Sequence, residues 1–164
     1  MTQPGRLTHT DEHGHARMVD VSAKDVTVRE ARASGRVLLS PEAIAALRAG
    51  DVPKGDALAV ARIAGIQAAK RTPDLVPLCH PIAIHAAAVD LQVGDRAVEI
   101  TATVRTADRT GVEMEALTSV TVAALALIDM VKAIDPAAVI SDVRVEEKTG
   151  GKTGAWRRPR TSRQ

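Results

Sequence analysis

The stretch TGVEMEALTSVTVAALALIDMVKAIDP, residues 110–136, decides the fold. It reads as one long helix. Thr110 stands where an N-cap belongs, and Glu113 follows three residues later, where a capping box needs a carboxylate. Asp135 and Pro136 mark its end. Between Glu115 and Asp129 there is no charge, and apolar or small side chains go all the way round the cylinder, the pattern of a helix buried on every side. In a chain of 164 residues one sheet can cover one face of it. A second subunit is therefore expected over another.

Working outward, the period changes from helical to two. After the helix, Val139, Ser141, Val143 and Val145 alternate with Ile140, Asp142, Arg144 and Glu146, which predicts a last strand. Before it, Val89, Leu91 and Val93, then Val98, Ile100, Ala102 and Val104, predict two strands joined by a hairpin turn at Gly94 and Asp95. Further upstream, Asp56 can cap a helix running to about Arg71, with Ala57, Ala61, Ala64, Gly65 and Ala68 giving it a side of small residues that another backbone can approach. Pro73, Pro77 and Pro81 are expected to keep TPDLVPLCHP extended. Ser40, Pro41 and Glu42 open a short helix that Gly50 closes, and a first strand is read over about 27–39.

The resulting order is βααββαβ. Setting the short helix aside, this is an α+β split βαβ arrangement, an antiparallel four-stranded sheet with two helices on one face. The other face must be covered or polar. Residues 1–17 read as a flexible N-terminal segment, 18–154 as a single domain and 155–164 as a basic flexible tail.

Composition narrows the function. One Trp and no Phe or Tyr at 45% hydrophobic content mean a core of Ala, Val, Leu and Ile. The formal charge of +2 is nearly balanced, and most of the excess lies in RRPRTSR at the C-terminus, so no nucleic-acid footprint is expected across the domain. A lone Cys79 excludes an intrachain disulfide framework and fits a reducing cytosol. No signal-peptide core and no uncharged run of membrane-spanning length is read, so a cytoplasmic protein without a membrane partner is expected. His9, His13 and His15 lack a Cys or carboxylate framework, and no metal site is assigned to them.

Several side chains nevertheless look chemical. KTGGKTG invites a phosphate-loop reading, but the glycine needed five positions before Gly151 is Glu146, and AWRRPR rather than a helix follows. A glycine segment carrying Lys148 and Lys152 can still close over an anion. Cys79 and His80 are neighbours in an extended segment and so should point to opposite sides, with His80 the better partner for a ligand. Asp129 and Lys132 share a helix face, and Asp129 sits at the unfavourable end of the helix dipole after a wholly uncharged stretch, so partial burial is expected. Glu115 is on nearly the same face but ~21 Å away along the axis. Serving one site, the two would need a large ligand or neighbouring subunits. Glu113 is accounted for by the capping box.

Together LTHTDEHGHARMVDVSAKDVTVREA, KGDALAVARIAGIQAAKRTPDLVPLCHP, RTGVEMEALTSVTVAALALIDMVKA and EKTGGKTG resemble the cyclic pyranopterin monophosphate synthases, the molybdenum cofactor biosynthesis protein C family. The resemblance covers most of residues 7–154, in order. It implies a ferredoxin-like fold, a cytoplasmic homohexamer built as a trimer of dimers, and a lyase of molybdopterin synthesis. That lyase converts (8S)-3′,8-cyclo-7,8-dihydroguanosine 5′-triphosphate, supplied by a radical S-adenosylmethionine enzyme, to cyclic pyranopterin monophosphate and pyrophosphate. No redox cofactor is implied, since the step is a rearrangement.

By the same resemblance Asp129, in DMVKA, is the active-site residue, and Lys54 of KGD and Lys132 are its cationic acid–base partners. Leu78, Cys79 and His80, with Met114 and Glu115, are implied in substrate binding, and Lys148, Lys152 and Arg29 in holding the triphosphate. Proton movement between nitrogen and carbon asks for an acid and a base of different affinity close together, and departing pyrophosphate asks for cations. The chain departs from the family pattern at Ile128 and Val131, where Tyr and Cys are common, and both changes preserve packing.

Two rival classes remain at this point. An RNA-binding module shares the element order but stacks bases on sheet aromatics, which a chain with only Trp156 cannot offer. A ligand-sensing oligomeric domain is separated only by turnover.

Overall fold

Short-range chemistry fixes most element ends. Ser40 Oγ accepts the Ala43 N–H at 3.2 Å to start α1 (Pro41–Ala49), and Gly50, left-handed at φ 73°, closes it by donating to the carbonyls of Ala46 and Leu47. Asp56 Oδ1 accepts the Ala59 N–H at 3.0 Å to start α2 (Ala57–Ala69). The computed structural model describes residues 8–160, so the ends of the two expected terminal segments, 1–7 and 161–164, lie outside the described residues.

Around these helices run β1 (Thr27–Leu38), β2 (Ala86–Val93), β3 (Ala97–Asp108) and β4 (Val139–Thr149), with α3 (Thr72–Leu75) before β2 and α4 (Glu113–Val131) before β4. A fifth strand, β5 (Trp156–Arg157), extends the expected four by pairing with Lys148 and Glu147 of β4. The sheet order is β2-β3-β1-β4-β5, antiparallel throughout. This is the split βαβ, ferredoxin-like arrangement, with α2 and α4 packed on one face. The far face is polar. Arg105 pairs with Glu30 and Arg32 with Glu147, both at 2.9 Å, and Arg36 pairs with Glu99.

Three local expectations are corrected. Thr110 does not cap α4: Val112 holds the N-cap position and no side-chain bond closes that end. Thr72–Leu75 is a helical turn rather than extended chain, because Pro73 falls in a first turn, where its missing N–H costs nothing. The alternation along β4 is broken twice. Ile140 lies opposite buried Val37, yet Val145 lies opposite buried Ala33, so the residues facing the core change parity on the way. The extra residue sits opposite Gly35, where Asp142 has φ 56°. A Cβ on Gly35 would come within 2.7 Å of Val120 and 3.0 Å of Val143, so only glycine lets α4 and the bulge pack there.

α4 lies across β1, β3 and β4 and against α2. It is long and apolar enough to cross a membrane by length and composition, but more than half of it is buried within the chain, so its apolarity serves the core. Burial is not complete in one copy of the chain. Thr121, Leu125 and Asp129 form a stripe open to solvent, the face that the chain's own sheet and α2 leave uncovered.

Candidate active site

The direction of α2 relative to α4 sets the geometry. The small side read from the sequence brings the helices together at Gly65, where a Cβ would meet the Ser119 carbonyl at 2.9 Å and Ala123 at 3.1 Å. Ser119 Oγ donates to the Gly65 carbonyl at 2.8 Å. Lys54, three residues before α2, meets the end of α4, so the two helices run antiparallel. In consequence the turn before α2 reaches the C-terminal end of α4, and the loop after α2 reaches its N-terminal end.

At the C-terminal end Asp129 stands between two lysines. Lys54 Nζ lies 2.8 Å from Oδ2 and Lys132 Nζ 2.7 Å from Oδ1. Hydrogen bonding to Lys132 first, then to Lys54, holds the Asp129 carboxyl down to about 2. The expected burial of Asp129 is not found, since its side chain is 55% exposed. The two ammonium groups, rather than desolvation, set its ionisation.

At the N-terminal end a cavity of about 440 Å³ opens between the loop and the helix start. Leu78, Cys79, His80, Met114 and Glu115 all line it. Glu115 is 3% exposed, and its Oε2 has no hydrogen-bond partner. Burial, opposed by a backbone N–H and aided by the charge of Glu113, raises its carboxyl to about 7. Burial and then the charge of Glu115 push the Cys79 thiol up, so Cys79 is a packed thiol and not an activated nucleophile. Cys79 and His80 were expected on opposite sides, yet both reach the cavity because the chain leaves α3 through a turn, with Cys79 N–H donating to the Val76 carbonyl at 3.1 Å.

His80 is already engaged. Its Nε2 donates to the Val19 carbonyl at 2.5 Å, since a carbonyl can only accept. That fixes the proton on Nε2 and ties the N-terminal segment across the cavity. Arg109 Nε makes a second tie, to the Lys24 carbonyl at 2.9 Å. Thr8, His9, Val19, Val21 and Lys24 therefore line the cavity, and sequence reasoning missed them. The signal is present in LTHTDEHGHARMVDVSAKDV, whose first part, through residue 17, reads in isolation as solvated tail. His9 enters as part of a wall, and among the described residues no cluster of three His, Cys, Asp or Glu could hold a metal ion.

Lys148 lies beside this cavity, bonded to Glu113 Oε1 at 2.7 Å. With Arg29 it lines a small adjoining hollow that shares Gly111 and Glu113 with the cavity. A larger hollow on the far face of the sheet is lined by the ion pairs Arg36 with Glu99 and Arg144 with Glu146, and by Arg158 and Arg160. The expected residues thus form two clusters, Asp129 with Lys54 and Lys132, and Glu115 with the Leu78 to His80 loop, Met114 and Lys148. One chain keeps the clusters ~21 Å apart along α4.

The sequence model described as the MoaC family matches residues 18–151. Among curated relatives, the cyclic pyranopterin monophosphate synthase of Streptomyces coelicolor is 71% identical over 93% of this chain and 90% of its own length. That of a Nocardioides species is 65% identical over 95% of this chain and 98% of its own. That of a Roseiflexus species is 60% identical over 90% and 95%.

Proposed function

The chain belongs to the MoaC family, and on that premise we propose how its residues divide the work of a cyclic pyranopterin monophosphate synthase. The activity is that of a lyase in molybdenum cofactor biosynthesis. The substrate is (8S)-3′,8-cyclo-7,8-dihydroguanosine 5′-triphosphate. Its purine-derived ring opens and is rebuilt as a pterin, the phosphate next to the sugar closes to a cyclic ester, and pyrophosphate leaves.

The observation that carries the assignment of roles is Asp129 held between Lys54 and Lys132. A carboxylate held near 2 is ionised throughout the neutral range and can keep two ammonium groups, one on each of its oxygens. One ammonium can then give a proton to a nitrogen of the substrate, the neutral amine it becomes can take a proton back from carbon, and Asp129 fixes the distance between the two lysines. Glu115, at about 7, is the group that changes charge near neutrality and can either donate to or accept from the base. Leu78, Cys79, His80 and Met114 wall that pocket, and Lys148 faces the phosphates.

Both clusters serve one substrate when two copies of the chain meet, each giving a different end of α4. Exposed Val60 and Ile63 on α2 and Leu125 on α4 support such a contact, since they are apolar side chains left open on the helix layer. The assembly proposed is the homohexamer, a trimer of dimers, of a single catalytic domain spanning 18–154. It works in the cytoplasm, downstream of a radical S-adenosylmethionine enzyme.

Incubating the purified chain with the cyclised triphosphate, and following pyrophosphate and pterin together, tests the proposal. Both products from the wild type and neither from folded Asp129→Asn would support it. No product from an assembled oligomer would overturn it in favour of a ligand-sensing domain.

A further inference from the structure

Glu113 has no capping work to do, because α4 starts without a side-chain cap. Its carboxylate instead reaches Lys148 at 2.7 Å, across 35 positions of sequence, with both side chains about two-thirds covered. Three features of the backbone build this contact. The change of register between Arg32 and Ala33 brings Lys148 opposite Ala31, on the helix side of the sheet. Gly111 leaves room for the Glu113 carboxylate, which occupies the space a Cβ there would need. Gly150, left-handed at φ 87°, lets the chain after Lys148 pass directly over the Val28 carbonyl, where any Cβ would collide. The carboxylate lies where the large cavity and the small hollow meet, with Arg29 across the hollow.

We propose that Glu113 is a resident counter-anion for Lys148, occupying the ammonium until a phosphate takes it and reclaiming it when pyrophosphate leaves. This rests on the proposed reaction, which requires an anion to bind and then depart. A lysine left unpaired beside Arg29 would hold the released pyrophosphate tightly. A carboxylate fixed next to it competes with the anion for the ammonium, which lowers that affinity, and offers a replacement partner at the moment of release. Glu113 is thus a positioning residue that acts through Lys148 and touches no reacting atom.

The test is calorimetric titration of the assembled protein with inorganic pyrophosphate, for wild type, Glu113→Gln, Lys148→Gln and the double variant. Glu113→Gln should bind pyrophosphate about tenfold tighter than wild type. Its kcat should fall while KM does not rise, because release becomes slow. In the Lys148→Gln background the same change should have little effect on pyrophosphate affinity, since the partner is gone. Weaker or unchanged binding by Glu113→Gln, or an equal gain with and without Lys148, would overturn the inference. Pyrophosphate binding is measured without turnover, whereas the reaction itself stands or falls on product formation by the wild type, so the two failures are distinguishable.

Discussion

Lys54 and Asp129 stand 75 positions apart in the sequence and meet at 2.8 Å. The contact exists because α2 runs antiparallel to α4, so the turn before α2 reaches the C-terminal end of that helix. Lys132 was legible as a partner from spacing alone, whereas Lys54 was expected only through the family resemblance, and its contact with Asp129 is made by the fold. Together they make Asp129 the shared member of a three-charge group.

Asp129→Asn should therefore lower kcat by roughly 10²- to 10⁴-fold, the usual range for disabling proton transfer, because the two lysines lose the partner that positions them. The unfolding midpoint in urea should hardly move, because exposed ion pairs contribute little to stability. Once Asp129 is neutral, adding Lys54→Gln should cost less than it does alone, since the three act as a unit. Full additivity in kcat would contradict the arrangement.

Glu115 predicts a pH dependence of opposite sign to that of an ordinary ion-paired carboxylate. In the unfolded chain it ionises near 4.5, while the folded chain keeps its proton up to about 7. Between those values the native state binds more protons, so stability falls as pH rises and the loss is complete above about 7. The size is on the order of 3 kcal/mol. Glu115→Gln should remove that slope, and urea titrations at pH 5 and pH 8 would show it. Identical slopes for the two proteins would refute the assignment, as would a kcat profile whose limb near neutrality survives the substitution.

Gly65→Ala should damage activity and stability together. Its Cβ would press on the Ser119 carbonyl and on Ala123, forcing α2 away from α4. Overpacking of this kind costs about 1–3 kcal/mol. The same displacement pulls Lys54 from Asp129, so turnover should fall even at temperatures where the variant is fully folded. A folded variant with wild-type kcat would show that the cluster tolerates movement of α2.

The strands and long helices were readable because their signals are local. Period two in β2 and β3, Ser40 and Asp56 as caps, and the small side of α2 each depend on residues close in sequence. The errors came where distant pairing decides. Nothing near Asp142 announces a bulge, since its cause is Gly35 and Val120 on other elements. Glu113 fits a capping box by spacing, but Lys148 offers a full charge and takes it. The N-terminal segment is polar in isolation and gains its place from His80 and Arg109, which hold its carbonyls.

The central claim is that one active site joins the Asp129 end of α4 from one copy of the chain to the Glu115 end from another. The most direct measurement mixes two inactive variants, Asp129→Asn and Glu115→Ala, after dissociating and reassembling the oligomers in equal amounts. Random assembly should restore roughly a quarter of wild-type turnover, because that share of sites receives two intact halves. No recovery, despite mixed oligomers demonstrated by mass, would contradict the account and place both ends of the helix on a single chain's own site.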